Sequence, residues 1–244
     1  MKLLIPRPRG KSVWACLGSF GGGFVAGDET NLTVRLGAGA RCFLTTQAST
    51  KIYRNPRRRP CSHTLRAELG ADSFFVLAPD PVQSFAGSSY SQRQEFHLQS
   101  GANLVLLDWY CSGRAARNER WSFTRLQSRN EVFQSEERLL TDSLLLDQAH
   151  GPLAGPSRMG QFNCLALLVL IGPMIAAAVT QILAATEALP VTPRAKLIMS
   201  ASPIRHGVIL RLAGESSEEV AREVRRSLAF VPEFLGDDPW GRKW

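Results

Sequence analysis

Paired cysteines, clustered histidines and an unbroken apolar span are all missing from this 244-residue chain. Each absence removes a class of function. The five cysteines, Cys16, Cys42, Cys61, Cys111 and Cys164, lie more than ten residues apart, so no Cys-x-x-Cys pair exists for zinc or redox work. Their number is odd, and Met1-Lys-Leu-Leu-Ile-Pro is too short an apolar stretch for a secretory signal. A reducing cytoplasm with free, mostly buried thiols is therefore expected. The four histidines, His63, His97, His150 and His206, show no His-x-His or His-x-x-x-His spacing. His63 and His97 are read as the polar phase of alternating strands, facing solvent. There is no Gly-x-Ser-x-Gly elbow, phosphate loop or kinase set, and Gly18-Ser-Phe-Gly21 runs on into further glycines. With no catalytic set, the chain does not read as an enzyme.

Phe162 to Ala185 is long enough to cross a bilayer, but Gly172-Pro173 cuts it in two and no basic flank anchors it. Cys164 to Ile171 has the length of a strand buried on both faces, and Pro173 suits the first turn of an Ala-rich helix. A strand-turn-helix inside a core is expected. The net charge of +8 suggests an acidic partner, yet it is scattered apart from Arg57, Arg58 and Arg59 between Pro56 and Pro60. A short basic run between prolines, with no helix or aromatic platform beside it, reads first as a solvated loop, with nucleic-acid binding the weaker option.

What the chain has is glycine-punctuated β sequence. Gly21 to Arg54 holds three consecutive glycines, a Gly27-Asp28 turn, an alternating strand, a Gly37-Ala-Gly reversal and a Thr45-Thr-Gln exit. Asn31-Leu-Thr-Val-Arg-Leu-Gly-Ala, His63-Thr-Leu-Arg-Ala-Glu-Leu-Gly-Ala and Glu95-Phe-His-Leu-Gln-Ser-Gly-Ala repeat one pattern, each followed by a second, more apolar strand. Gly37, Gly70 and Gly101 then stand 33 and 31 residues apart. The expected fold is mainly β, with stacked β-hairpins in a helical (coiled) architecture and each unit covering its neighbour. Two α-helices follow toward the C-terminus: the Ala-rich one, and one opened by a Ser216/Glu219 capping box with Val220, Val224 and Leu228 along one face. Lys196 to Ser200 and Gly207 to Leu212 pair as a late hairpin. Residues 1–244 are expected to form a single domain.

Three carboxylates fall where apolar residues belong. Asp108 closes Leu104-Val-Leu-Leu, Asp142 interrupts Leu139 to Leu146, and Asp28 sits in the Gly-Asp turn. Burying a carboxylate is costly unless it is paired or hydrated. Either each meets an arginine (Arg114, Arg117 or Arg120) or a backbone amide, or the acids line an internal polar passage for a hard or borderline cation.

The order of motifs in Gly21-Gly-Gly-Phe-Val-Ala-Gly-Asp28, Leu36-Gly-Ala-Gly-Ala40 and Leu44-Thr-Thr-Gln-Ala-Ser-Thr-Lys-Ile-Tyr-Arg54 resembles the urease accessory protein D family, UreD or UreH. Leu106-Leu-Asp-Trp-Tyr-Cys-Ser-Gly-Arg114, Asn118-Glu-Arg-Trp121, Gly207 to Gly214 and the Asp238-Pro-Trp-Gly-Arg-Lys-Trp244 tail continue the likeness over almost the whole chain. Members carry one or more strands ahead of the segment matching Met1-Lys-Leu-Leu, so the chain is expected to be short at its N-terminus. The resemblance implies a non-enzymatic scaffold for urease maturation. Such proteins bind an accessory F-like protein, recruit through it the nickel GTPase G to apo-urease, and assemble as a dimer of D–F pairs. It implies no permanently bound cofactor, nickel in transit, and no nucleic-acid or membrane partner. Asp28, Asp108 and Asp142, with Thr50, would then line the nickel path. A second class of function is a soluble β-solenoid module that binds acidic partners through its basic loop.

Overall fold

The structure, a computed structural model, describes residues 2–7, 10–57, 59–190 and 192–241. Arg58 of the basic run and the last three residues of the aromatic tail lie outside the described residues. The chain coils into two facing sheets. Strands β1 (Lys2–Leu4), β2 (Val13–Gly18) and β3 (Gly23–Phe24) form an incomplete first coil. The next coil contains β4 (Glu29–Leu36), β5 (Arg41–Thr46) and β6 (Thr50–Ile52), and the third β7 (Cys61–Leu69), β8 (Phe74–Leu77) and β9 (Val82–Ser84). The fourth contains β10 (Ser89–Leu98) and β11 (Asn103–Cys111), after which β12 (Arg125–Gln134) turns back into β13 (Glu137–Asp147). The chain then runs through β14 (Cys164–Ile171), helix α1 (Ala176–Glu187), the hairpin β15 (Leu197–Ile204) and β16 (Gly207–Gly214), and helices α2 (Ser217–Ser227) and α3 (Val231–Leu235).

The outer sheet has the order β13-β12-β10-β7-β4, and the inner sheet follows β1-β2-β5-β8-β11-β14-β16-β15. Strands from successive coils pair in parallel: β4 with β7, β7 with β10, β5 with β8, and β8 with β11. This is the expected helical β architecture, with one refinement. The two arms of each repeat do not hydrogen-bond to each other. The Gly-Ala corner passes the chain from one sheet to the other, and each arm pairs with its equivalent in the next coil.

The register of the repeat also shifts. Leu36, Leu69 and Leu98 are in register. Gly101 is therefore equivalent to Gly39 and Asp72, not to Gly37 and Gly70. These three corner residues share a left-handed backbone, with φ of 65°, 55° and 74° for Gly39, Asp72 and Gly101. Two glycines and an aspartate are residue types that tolerate it. The three corners are equally long; the coil spacing falls from 33 to 29 residues chiefly because the loop between Ile52 and Cys61 is four residues longer than the loop between Ser84 and Ser89.

The central strands of the inner sheet, β8, β11 and β14, are buried on both faces. Val105, Leu107 and Trp109 of β11 pack toward the helices with Leu168, Ile182, Val220 and Leu235. Leu104 and Leu106 face the outer sheet and meet Leu65, Ala67, Phe96 and Val132. The strand Cys164–Ile171, the turn at Pro173 and the helix after it lie where the sequence puts them. Among the described residues no helix is long and apolar enough to cross a membrane. The Ser216 hydroxyl accepts a hydrogen bond from the Glu219 amide at 3.1 Å, which forms the serine half of the expected capping box. A third, five-residue helix, α3, adds Val231 and Leu235 to the same core.

Candidate functional site

Between the two sheets lie two apolar clusters. One sits at the Gly-Ala corners, around Leu69, Phe75, Phe96 and Leu104. The other sits at the opposite end, around Ile52, Tyr90, Trp121, Phe123 and Leu126. The layer separating them is polar. Thr30, His63, Gln92 and Ser128 occupy one register row across the outer sheet, one residue per coil. Gln94, Asn130 and Asp142 occupy the row beside it. The side chains of Gln92, Gln94, Ser128 and Asn130 are buried.

Asp108 enters this layer from the inner sheet and is 4% exposed. Its Oδ1 accepts from Gln92 Nε2 at 3.0 Å. Its Oδ2 accepts from the Tyr110 hydroxyl at 2.8 Å, the Ser128 hydroxyl at 2.8 Å and Asn130 Nδ2 at 2.9 Å. Tyr90 donates to Gln92 Oε1 at 3.0 Å, which fixes the amide that faces the carboxylate. These four donors are all neutral. Burial therefore raises the Asp108 carboxyl above the usual carboxylate range, and the hydrogen bonds from Asn130, Tyr110, Ser128 and Gln92 oppose the shift. The Tyr90 and Tyr110 phenols are pushed well up, first by burial and then by the nearby Asp108 charge.

A cavity of about 360 Å³ opens on one side of Asp108, lined also by Asp28, Thr30, Thr50, His63, Asp80 and Gln92. A second, of about 340 Å³, lies on the other side, between β13 and the β15–β16 hairpin, and its wall includes Asp108, Asp142, Met199 and Arg211. Asp108 thus borders both cavities. At the first, Asp28 Oδ2 accepts from the Val25 amide at 2.9 Å, and the Asp80 amide donates to Thr46 Oγ1 at 2.7 Å. At the second, Arg211 Nη2 pairs with Asp142 Oδ1 at 2.8 Å.

The three acids therefore divide between the alternatives posed by the sequence. Asp28 meets a backbone amide and Asp142 an arginine, but that arginine is Arg211. Arg114 pairs instead with Glu119, and Arg120 donates to Asn163. Asp108 has neither kind of partner. Among the described residues, no three His, Cys, Asp or Glu side chains form a group able to hold a metal ion. What the arrangement offers a cation is a series of separate oxygen donors on either side of a buried carboxylate.

The family profile described as UreD urease accessory protein matches residues 1–244. A urease accessory protein UreD from Sorangium cellulosum is 48% identical over 248 residues, covering 100% of this chain and 77% of that one. Another from Anaeromyxobacter sp. is 41% identical, covering 99% and 81%. A urease accessory protein D from Oryza sativa subsp. indica is 32% identical, covering 98% and 87%. The chain belongs to the UreD urease accessory protein family.

In this UreD chain the structure brings Asp28, Thr50 and Asp108 to one cavity, and Asp108 with Asp142 to the next. Sequence reasoning missed the neutral half of the site, and it misplaced one residue outright. His63 was assigned to the polar, outward phase of its strand. It shares parity with Leu65, Ala67 and Leu69, which point inward, and it lies half-buried against the first cavity. Burial lowers its pKa to about 4, so the imidazole is neutral near pH 7. His97 does face outward, stacked on Phe133 at 5.1 Å and bonded to Glu95. Gln92 and Gln94 were legible by the same parity count, because they continue the inward phase of Phe96 and Leu98 along β10.

Proposed function

We propose that this chain acts in urease maturation as a non-enzymatic scaffold that binds apo-urease, an accessory F-like protein and the nickel GTPase G, and gives nickel a polar route through its interior. Family membership supports the urease connection. The observation that supports the route is Asp108, a buried carboxylate held by four neutral donors and bordering a cavity on each side. Burial without a charged partner disfavours the ionised carboxylate, so a passing cation supplies the countercharge that it lacks, and hydroxyl and amide donors that rotate turn their oxygens toward the ion. In this reading nickel is cargo, Asp108 forms the waist of the route, Asp28 and Thr50 lie on one side of it, and Asp142 lies on the other.

The alternative, a β-solenoid module that uses its basic loop on acidic surfaces, predicts binding to nucleic acid or anionic lipid that collapses steeply with salt. One pull-down from the source organism separates the two. The scaffold reading requires co-purification with apo-urease and an F-like protein. Capture of neither, together with salt-sensitive nucleic-acid binding, would overturn it.

A further inference from the structure

We infer that His63 is the residue that makes this route selective for a borderline divalent cation such as nickel over hard cations such as magnesium. The inference rests on the passage described above and deepens it. Among the described residues lining either cavity, His63 is the only imidazole, and so the only ring nitrogen with a lone pair to offer a metal. The others near it, Asp28, Thr50, Asp80, Gln92 and Asp108, offer oxygen. An all-oxygen lining suits magnesium, calcium and manganese, whereas imidazole suits nickel, zinc and copper. Magnesium outnumbers nickel greatly in cells, so a passage lined by oxygen alone would fill with the wrong ion.

The geometry presents the ring for this task. His63 Nδ1 lies 2.8 Å from Thr30 Oγ1, and Thr30 Oγ1 lies 3.5 Å from the Ser62 carbonyl oxygen. In the tautomer that carries its proton on Nδ1, this nitrogen donates to Thr30 Oγ1 and Nε2 keeps its lone pair available to a metal. A hydrogen bond from the opposite ring nitrogen is how ligating histidines are oriented and their tautomer fixed. His63 sits in the register row that ends at Ser128, one of the Asp108 donors, so an ion handed on from the imidazole moves along one row toward the waist.

The test is a urease maturation assay in which nickel is titrated at low and at high millimolar magnesium. The wild-type chain should show the same half-maximal nickel concentration at both. His63→Gln should need roughly tenfold more nickel at high magnesium, on the scale typical of losing a metal-orienting interaction. His97→Gln, altered on the outer face, should match wild type. Activation by His63→Ala should rise when free imidazole is added. A His63→Gln protein that titrates like wild type at both magnesium levels overturns the assignment. Asp108→Asn in the same assay tells which idea has failed, since its impairment leaves the passage standing without a selective histidine, and its full activity removes the passage as well. Nickel added to the unaltered protein gives an independent check. Paramagnetic broadening should reach the His63 ring signals before those of His97, His150 and His206, and the reverse order would also overturn the assignment.

Discussion

Replacing Asp108 by leucine should destabilise the fold much more than replacing it by asparagine, although leucine is the less polar residue in a largely apolar strand. The carboxylate receives hydrogen bonds from Gln92, Tyr110, Ser128 and Asn130. Leucine removes every acceptor. Gln92 keeps a partner because its amide also reaches the Tyr110 hydroxyl at 3.2 Å. That leaves the Tyr110 and Ser128 hydroxyls and the Asn130 amide, each costing about 1–3 kcal/mol when stranded in a dry interior. Relief from burying a carboxylate offsets part of this cost. The net expectation for Asp108→Leu is a loss of about 2–4 kcal/mol.

Asparagine keeps the shape and one acceptor. Its new amide would face three donors, but two are hydroxyls that rotate. The third is Asn130, whose Oδ1 has no partner and becomes an acceptor if that amide turns over. Asp108→Asn should therefore cost about 1 kcal/mol. Urea unfolding of the three proteins at neutral pH measures the difference. Acid adds a second signature. The folded-state pKa of Asp108 is raised, so the folded chain binds this proton more tightly than the unfolded one. Wild-type stability relative to Asp108→Asn should then be greatest below the usual carboxylate range and decline as pH rises through the interval up to the raised value. Equal stabilities for the leucine and asparagine variants, or a leucine variant more stable than wild type, would refute the hydrogen-bonded cage.

His63 works in the opposite sense. Its folded pKa is lowered to about 4, so the stability it contributes above its unfolded value near 6.5 is lost as pH falls between the two, by about 3 kcal/mol in full; His63→Gln should lack this acid loss in urea titrations. The Glu131 carboxyl is held below the usual range, chiefly by the Arg129 hydrogen bond, with Arg93 and Arg138 also nearby. Wild-type stability relative to Glu131→Gln should therefore fall as pH drops through that lowered value, again read by urea unfolding. The corner register is tested by two alanines: Gly37→Ala meets open space at ordinary φ and should be nearly silent, whereas Gly101→Ala places a methyl against the Asp72 carboxylate at φ +74° and should cost at least about 1 kcal/mol in thermal melts.

The coil was legible because its signal is a parity repeated in every unit. Inward Leu32, Val34 and Leu36 recur as Leu65, Ala67 and Leu69, and a buried strand follows each corner. Cys164–Ile171 was legible because a fully apolar run cut by Gly-Pro has few other uses. The corner register was not, since Asp72 takes the left-handed place that glycine holds at Gly39 and Gly101. Among the site residues, the acids stood out against apolar neighbours. Gln92, Ser128 and Asn130 did not, because neutral polar residues in strands ordinarily face water. Their inward aim follows only once parity is anchored on Phe96, Leu126 and Val132. Arg211 could not be paired with Asp142 from sequence, because nothing local brings β13 beside β16.

The central claim is that nickel reaches urease past Asp108. Its most direct test is the nickel content and activity of urease matured with Asp108→Asn, compared with urease matured with wild type, after confirming that the variant is folded and still co-purifies with apo-urease. The passage predicts urease that is assembled but poor in nickel and low in activity, with partial recovery when nickel is supplied in excess. Urease with full nickel occupancy and full activity from the Asp108→Asn protein would contradict it.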